Sequence, residues 1–518
     1  MKRILGWQRS HAAARTMSVW PHLRFSSLSL GLIGALALSG CAVGPEFSKP
    51  APPDVAAYTA DKVPDATIST DAPTGDAQRF LDGAQVPERW WTTFVNSEID
   101  RRVDQALAHS PTIASAQAAL RQAEENVSAA RGGLWPSVDA NVGAQRGNTN
   151  FFGELAPGQS VFNVYNAGVN VNYTLDLFGG VRRGIEAQSA VSDFQQFQLE
   201  GTYLTLAANV VTTSFREASL RGQINATEEI IGVYQQTLEL VQRQHEIGAK
   251  SLADVLVIQT QVATVRAQLP ALRQQLAQTQ TQLAVYLGQF PAASELAAVD
   301  LDALTLPQEV PVSVPSELAR QRPDIRAAEA QLHQATAEVG IATANLYPQI
   351  SLTGSYGSQA LQTGNLFEGG TKFWGLGLNL LQPLFHGGTL RAQKRASEAG
   401  LQKVAADYQT TVLGAFQNVA DSLHALELDA ENLRAQSDAE VAAQKSLDLV
   451  RIQYKDGAVA YLAVLDATRQ YQQARIGLIQ ARAARLADTA ALYAALGGGW
   501  KEGDARALAD SKSVAETH

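Results

Sequence analysis

The chain has 518 residues, with 41 lysines and arginines against 50 aspartates and glutamates, a formal net charge of −9 and a single cysteine. An acidic balance of this kind argues against nucleic-acid binding, and a lone cysteine excludes intramolecular disulfides, so burial and helix packing must hold the fold. The length exceeds one ordinary core and predicts more than one structural unit.

In chain order, residues 1–40 read as an export signal. Lys2, Arg3, Arg9, Arg15 and Arg24 precede the apolar run Leu28 to Leu38, and Ser39, Gly40 and Cys41 follow it. That order is the order of a secretory leader, and the run is shorter than the roughly 20 residues a spanning helix needs. In the tetrapeptide LSGC the thiol of Cys41 is the nucleophile that can take up a diacylglyceryl group, which predicts lipid attachment there. Ala42, not aspartate, follows, which favours sorting to the outer membrane. Met17 is a second candidate start. Loss of the five basic residues of the leader takes the formal charge from −9 to −14. No later apolar run reaches spanning length, so further membrane contact falls to strands. Residues 41–96 are expected to form an extended, lipid-anchored N-terminal segment.

From Ser97 the chain reads as two copies of one plan. SPTIASAQAALRQAEENVSAARGGLWP from Ser110 to Pro136 is answered by RPDIRAAEAQLHQATAEVGIATANLYP from Arg322 to Pro348. LFGG at Leu177 is answered by LFHGG at Leu384, and IGAKSLADVL at Ile247 by DGAVAYLAVL at Asp456. Pro291, Pro307, Pro311 and Pro315 punctuate a connector that breaks regular structure. The expected units are a first repeat at 97–290, the connector at 291–316, a second repeat at 317–497 and a solvated, flexible tail at 498–518. Each copy follows one order: a helix of moderate length, two strands, a very long helix, a break at glycine and a returning helix.

The strands are read from alternation. Val169, Val171, Tyr173, Leu175 and Leu177 make one face apolar, while Gly168, Asn170, Asn172, Thr174 and Asp176 make the other polar. Trp374, Leu376, Leu378 and Leu380 repeat the pattern. The segments Gly147 to Ser160 and Gln359 to Thr371, rich in Gly, Asn and Gln, are the expected loops at the far end. Four strands in one chain leave two edges, which lipid does not tolerate. Closing a barrel takes eight or more, so subunits must share it, and two copies or three would serve.

No proline interrupts Val181 to Leu269 or Leu384 to the C-terminus. Val181 to Gly248 and Thr389 to Lys455 are each expected to be one helix on the order of 100 Å long. In the second, Val404, Tyr408, Val412, Phe416, Val419, Leu423 and Leu426 draw an apolar stripe at helical spacing. Gly248 and Gly457 then turn the chain as C-cap glycines, and Ser251 with Asp254 has capping-box spacing. There is no HExxH, GxSxG or Walker-type glycine loop, and His109, His245, His333, His386 and His424 are dispersed without metal-ligand spacing. Neither an enzyme nor a metal or cofactor site is expected.

CAVGPEF from Cys41, WWTTF from Trp90, the run from Asp104 to Pro111, PSELARQRPDI from Pro315 and YLAVLDATR from Tyr461 together resemble the TolC-like outer-membrane factors, in particular their NodT-type lipoprotein branch. The resemblance covers Cys41 to about Trp500. It implies a mainly α fold with a shared transmembrane β-barrel: a homotrimer with a twelve-stranded outer-membrane barrel, four strands per chain, on a long α-helical periplasmic tunnel. It further implies a periplasmic adaptor, an inner-membrane transporter of the resistance-nodulation-division type and export of small molecules. By the same resemblance Gly248, Ser251, Leu252, Gly457, Tyr461 and Leu462 are adaptor-docking tips, and Asp254 and Asp466 belong to the periplasmic aperture. Tyr454, one turn before the second tip, is a candidate for bonding across the subunit interface or for packing. Some branches carry a basic residue where this chain has Val459, so an arginine latch does not carry over. Two other readings use the same features: a duct for ABC-driven polypeptide secretion, and an anchored periplasmic coiled-coil scaffold that conducts nothing.

Overall fold

The computed structural model describes residues 42–149 and 160–499. The leader, Cys41, most of the first strand-to-strand loop and the tail from residue 500 lie outside the described residues. The remainder is two long helical hairpins hung beneath a four-stranded sheet, with a collar of shorter elements around their middle.

The collar is built around aromatic residues. A short 3-10 turn, Trp90–Phe94, buries Trp90, Trp91 and Phe94. Trp90 stacks on Tyr493 at 5.6 Å and Phe94 meets Phe215 edge-on at 4.9 Å, so the WWTTF motif joins helices distant in sequence. Helix α1 (Ser97–His109) starts where the Asn96 side chain accepts the amides of Glu98 and Ile99, two N–H groups that have no partner within the helix. Ser110 closes α1 and caps α2 (Pro111–Gly132). Strand β1 (Arg79–Asp82) pairs in parallel with β4 (Glu309–Val312). The proline-rich connector therefore contributes a strand, although its prolines suggest only interruption. Pro311 is tolerated because the sheet has just two strands, so every residue is at an edge.

The upper sheet contains β2 (Ser137–Thr149), β3 (Ser160–Leu175), β5 (Gln349–Ala360) and β6 (Lys372–Leu381), in the antiparallel order β2-β3-β5-β6. Each copy supplies one hairpin, and β3 pairs with β5 between copies. Leu177, read as the last strand position, lies beyond β3. Two helices of 67 residues descend from the sheet, α3 (Gly180–Glu246) and α8 (Thr389–Lys455), each about 100 Å long at 1.5 Å per residue. At the start of the second copy, α6 (Pro315–Gln321) and α7 (Pro323–Ala344) repeat the pattern of α1 and α2.

The returning helices differ. In the second copy α9 (Tyr461–Ala495) is continuous, whereas in the first the return is split into α4 (Leu252–Arg266) and α5 (Leu269–Tyr286). Pro270 is the cause: it has no N–H to offer the carbonyl of Arg266, and its ring crowds that turn. Ile479 stands at the matching position of α9.

Candidate channel face and periplasmic tips

The strand register sorts the sheet into two faces. Val138, Val171, Gly354 and Leu376 stand opposite one another across all four strands, as do Ala140, Val169, Tyr356 and Trp374. Asp139, Asn170, Ser355 and Gly375 form the matching row of the other face, where Asn170 donates to Asn141 Oδ1 at 2.9 Å. The apolar face is bare: Val142 is 85% exposed, Leu376 83% and Trp374 75%. A continuous apolar surface of this kind does not face water in a stable protein. Among the described residues the outer edges of β2 and β6 have no strand partner, and unpaired backbone groups are not tolerated in hydrocarbon. Trp135, Phe385 and Tyr347 are exposed at the base of the sheet, where aromatic rings anchor a barrel at the lipid–water boundary. Among the described residues no helix is long and apolar enough to cross a membrane.

The N-terminal segment is fastened at that base. The amide of Val43 donates to the carbonyl of Phe178 at 3.1 Å, and Phe178 stacks on Tyr347 at 4.7 Å. Gly179, at φ +78°, lies so close that a Cβ there would come within 2.6 Å of Ala42. Arg183, almost fully buried, pairs with Glu46 at 2.8 Å and Glu186 at 2.6 Å. Phe47 stacks on His333 at 4.3 Å, and His333 Nε2 meets Glu186 at 3.0 Å. Arg183 and its partners were not singled out by sequence reasoning. Their pairing is long-range, and no local spacing reports it.

At the opposite end the two tips share one backbone. After α3 the amide of Gly248 donates to the carbonyl of His245 and that of Ala249 to Gln244. After α8, Gly457 donates to Tyr454 and Ala458 to Gln453. This is the Schellman closure, and it needs a left-handed residue, supplied by Gly248 at φ +77° and Gly457 at φ +73°. Among the described residues neither glycine has an atom near where a Cβ would stand, so backbone conformation is what selects glycine there.

The side chains make the tips unlike. At the first, Ser251 Oγ accepts the Asp254 amide at 3.2 Å and Asp254 Oδ2 accepts the Ser251 amide at 3.0 Å, a complete capping box. Hydrogen bonds from the Ser251 hydroxyl and amide, with Lys250 nearby, hold the Asp254 carboxyl below its ordinary value although it is fully exposed. The second return helix starts at Ala460 without a side-chain cap. Asp466 lies further along, its two oxygens accepting from Arg469 at 2.6 Å and Gln470 at 2.7 Å. Asp254 through Oδ2 and Asp466 through both oxygens are therefore engaged by partners within their own turns. Tyr454 packs edge-on against Tyr461 at 5.1 Å with the Lys250 ammonium 6.0 Å from its ring, which brings both tips together in one chain. Tyr461 is turned inward and joins the cores of the two hairpins. Burial raises its phenol above the ordinary value against a hydrogen bond with Thr237.

Leu252 and Leu462 remain exposed at the tips. Sequence reasoning missed the company they keep: Ile247, Leu256, Val257, Leu449 and Ile452 are exposed as well. Apolar residues off the helical core stripe near a turn were the available signal.

The family model for outer membrane efflux proteins matches residues 103–289 and 314–498. The pyoverdine export outer membrane protein OpmQ of Pseudomonas aeruginosa is 32% identical over 422 residues, covering 80% of this chain and 88% of that protein. The toluene efflux pump outer membrane protein TtgC of Pseudomonas putida is 30% identical over 485 residues, covering 92% and 96%. Among solved structures, the outer-membrane channel OprN superimposes with a TM-score of 0.78 at 26% identity, over 89% of this chain and all of that one. The open sheet edges find their partners in neighbouring copies, since channels of this kind are trimers. The chain belongs to the outer membrane efflux protein family, whose fold is a channel-tunnel with one barrel shared by three copies in the outer membrane above a periplasmic tunnel of helices.

Proposed function

We propose that this protein is the exit duct of a tripartite pump for small molecules, acylated at Cys41, docked through its hairpin tips on a periplasmic adaptor and served by an inner-membrane transporter of the resistance-nodulation-division type. The observation that carries the reading is the pairing of one polar and one apolar sheet face with two hairpins about 100 Å long. A water-filled pore in lipid needs the first, and reaching an inner-membrane machine needs the second. The tips favour a partner that buries apolar surface, because Ile247, Leu252 and Leu462 are exposed there beside backbone turned by glycine. The fastening of Val43 and Ala42 beside Phe178 and Gly179 at the base of the sheet favours lipid on the residue that precedes them. Relatives of nearly equal identity carry names as different as pyoverdine export and toluene efflux. Cargo choice on this reading lies in the transporter, and the Asn, Ser, Thr and Gly of the polar face supply a generic wet lining.

The test is accumulation of dyes and antibiotics in a deletion strain complemented with the wild type or with Cys41→Ser, alongside membrane fractionation. Raised accumulation reversed by a correctly sorted trimer supports the duct. Unchanged accumulation across a broad panel, with the protein in place, moves the weight to polypeptide secretion.

Within the same reading Asp466 contributes to narrowing the aperture. Three copies gather three Asp466–Arg469 pairs around one axis, and like charges so gathered persist only when paired. Asp254 already has a capping duty, so its replacement would combine two effects. Asp466→Ala is expected to raise resting conductance in planar bilayers. Conductance equal to wild type would remove Asp466 from the gate.

A further inference from the structure

The two hairpins correspond without a gap: α8 follows α3 by 209 positions, and α9 follows α4 and α5 by the same number. The duplication therefore provides an internal reference for every residue. At one height the copies differ in kind. Buried Leu220 and Thr279 stand in the first hairpin where the second has Asp429 on α8 and Asp488 on α9. Among the described residues no donor is bonded to the buried Oδ2 of Asp429, and the hydrogen-bonding neighbour of this carboxyl is the carboxyl of Asp488. Two carboxyl groups hydrogen-bond only when one holds a proton, and two negative charges confined together repel.

The cation beside them bonds the collar through its two terminal nitrogens, while its Nε is buried with no hydrogen-bond partner among the described residues. Arg485, fully buried on α9, donates to the carbonyls of Thr74 at 3.0 Å and Asp76 at 2.8 Å and to Thr67 Oγ1 at 3.0 Å. Those three residues belong to the N-terminal segment, and Gln78 of that segment donates to Thr489 at 3.1 Å. The root of the second hairpin is thus a junction of α8, α9 and the collar, with a carboxyl pair at its centre.

We infer that Asp429 and Asp488 form a proton-dependent clasp between α8 and α9, shut while the pair shares one proton and loosened when that proton leaves. The charged groups facing Asp429 are Asp488 and Arg485 of α9, with Asp76 of the collar acting on Arg485. Burial, then Asp488, pushes Asp429 up to about 7, in the range met by a periplasm continuous with the medium. The folded protein then holds more proton than the unfolded chain between the ordinary carboxylate range and about pH 7. Stability falls as pH rises across that window and is level above it. From Asp429 to Lys455 the helix runs about 40 Å to the tip, so a small splay at the clasp moves Gly457 by more than it moves the root.

The experiment is hydrogen–deuterium exchange on the reconstituted full-length trimer from pH 5.5 to 8.5, corrected for intrinsic rates. Segments 426–433 and 485–492 are expected to lose protection by roughly tenfold, the worth of one pKa unit. Segments 217–224 and 276–283 of the first hairpin are expected to hold theirs. Asp429→Leu with Asp488→Thr, which installs the first copy's own pair, should abolish the response, and Asp429→Asn should keep the clasp shut throughout. Equal pH response in both wild-type hairpins overturns the inference without any variant, and so does a response that survives the double substitution.

Discussion

Leu376→Arg is expected to abolish most heat-resistant trimer in the outer membrane, while Ser355→Arg leaves it in place. Leu376 sits halfway along β6, on the apolar row with Val138, Val171 and Gly354. An arginine facing hydrocarbon at mid-depth of a barrel costs about 2–4 kcal/mol, and the trimer repeats that cost in each copy. Ser355 belongs to the polar row, where an added cation meets water and changes only the charge of the pore. The readouts are trimer recovery on unheated gels and the urea midpoint in lipid vesicles. Equal tolerance of the two substitutions would mean that the apolar face is not lipid-facing.

The second large effect is expected in the collar. Arg102 and Glu217 are both fully buried and meet at 2.9 Å. Arg102 also reaches Glu98 at 3.0 Å and the carbonyl of Ala297 at 2.7 Å, and Glu217 also holds Arg221 at 2.8 Å. Arg102→Met strips Glu217 of its only fully buried cation among the described residues, and breaking such a pair typically costs about 3–5 kcal/mol. Arg102→Met combined with Glu217→Leu should recover part of that loss, since no uncompensated charge remains. Urea midpoints of the wild type, both single variants and the double variant measure the coupling. Additive losses would show that the two residues do not act as a pair.

The sequence made the large elements readable because their periods are simple. Val169, Val171 and Tyr173 alternate, and the register puts them on one face with Leu352 and Leu376. Gly248 and Gly457 end uninterrupted helical runs, and both close the same backbone turn. What escaped reading has a common cause in contacts between distant residues. Strands β1 and β4 have four residues each and pair across more than two hundred positions, so neither carries a period. The inward turn of Tyr461 depends on Tyr454 and Thr237, which stand on two other helices. The split after Arg266 was visible in Pro270, but the same plan in the second copy hid it. Asp429 and Asp488 were open to detection by comparing the chain with itself, since Leu220 and Thr279 mark those places as interior.

The split return helix has a consequence for how the tunnel presents itself from below. Two hairpins per chain give a ring of six in the trimer, nearly alike in outline because the halves descend from one plan. The ring nevertheless alternates between a jointed return and a rigid one, and between a polar-capped tip at Ser251 and an uncapped one at Ala460. Its true rotational order is three. A set of identical modules approaching all six positions would meet two kinds of seat in strict alternation, and force applied evenly around the rim would bend every second hairpin first.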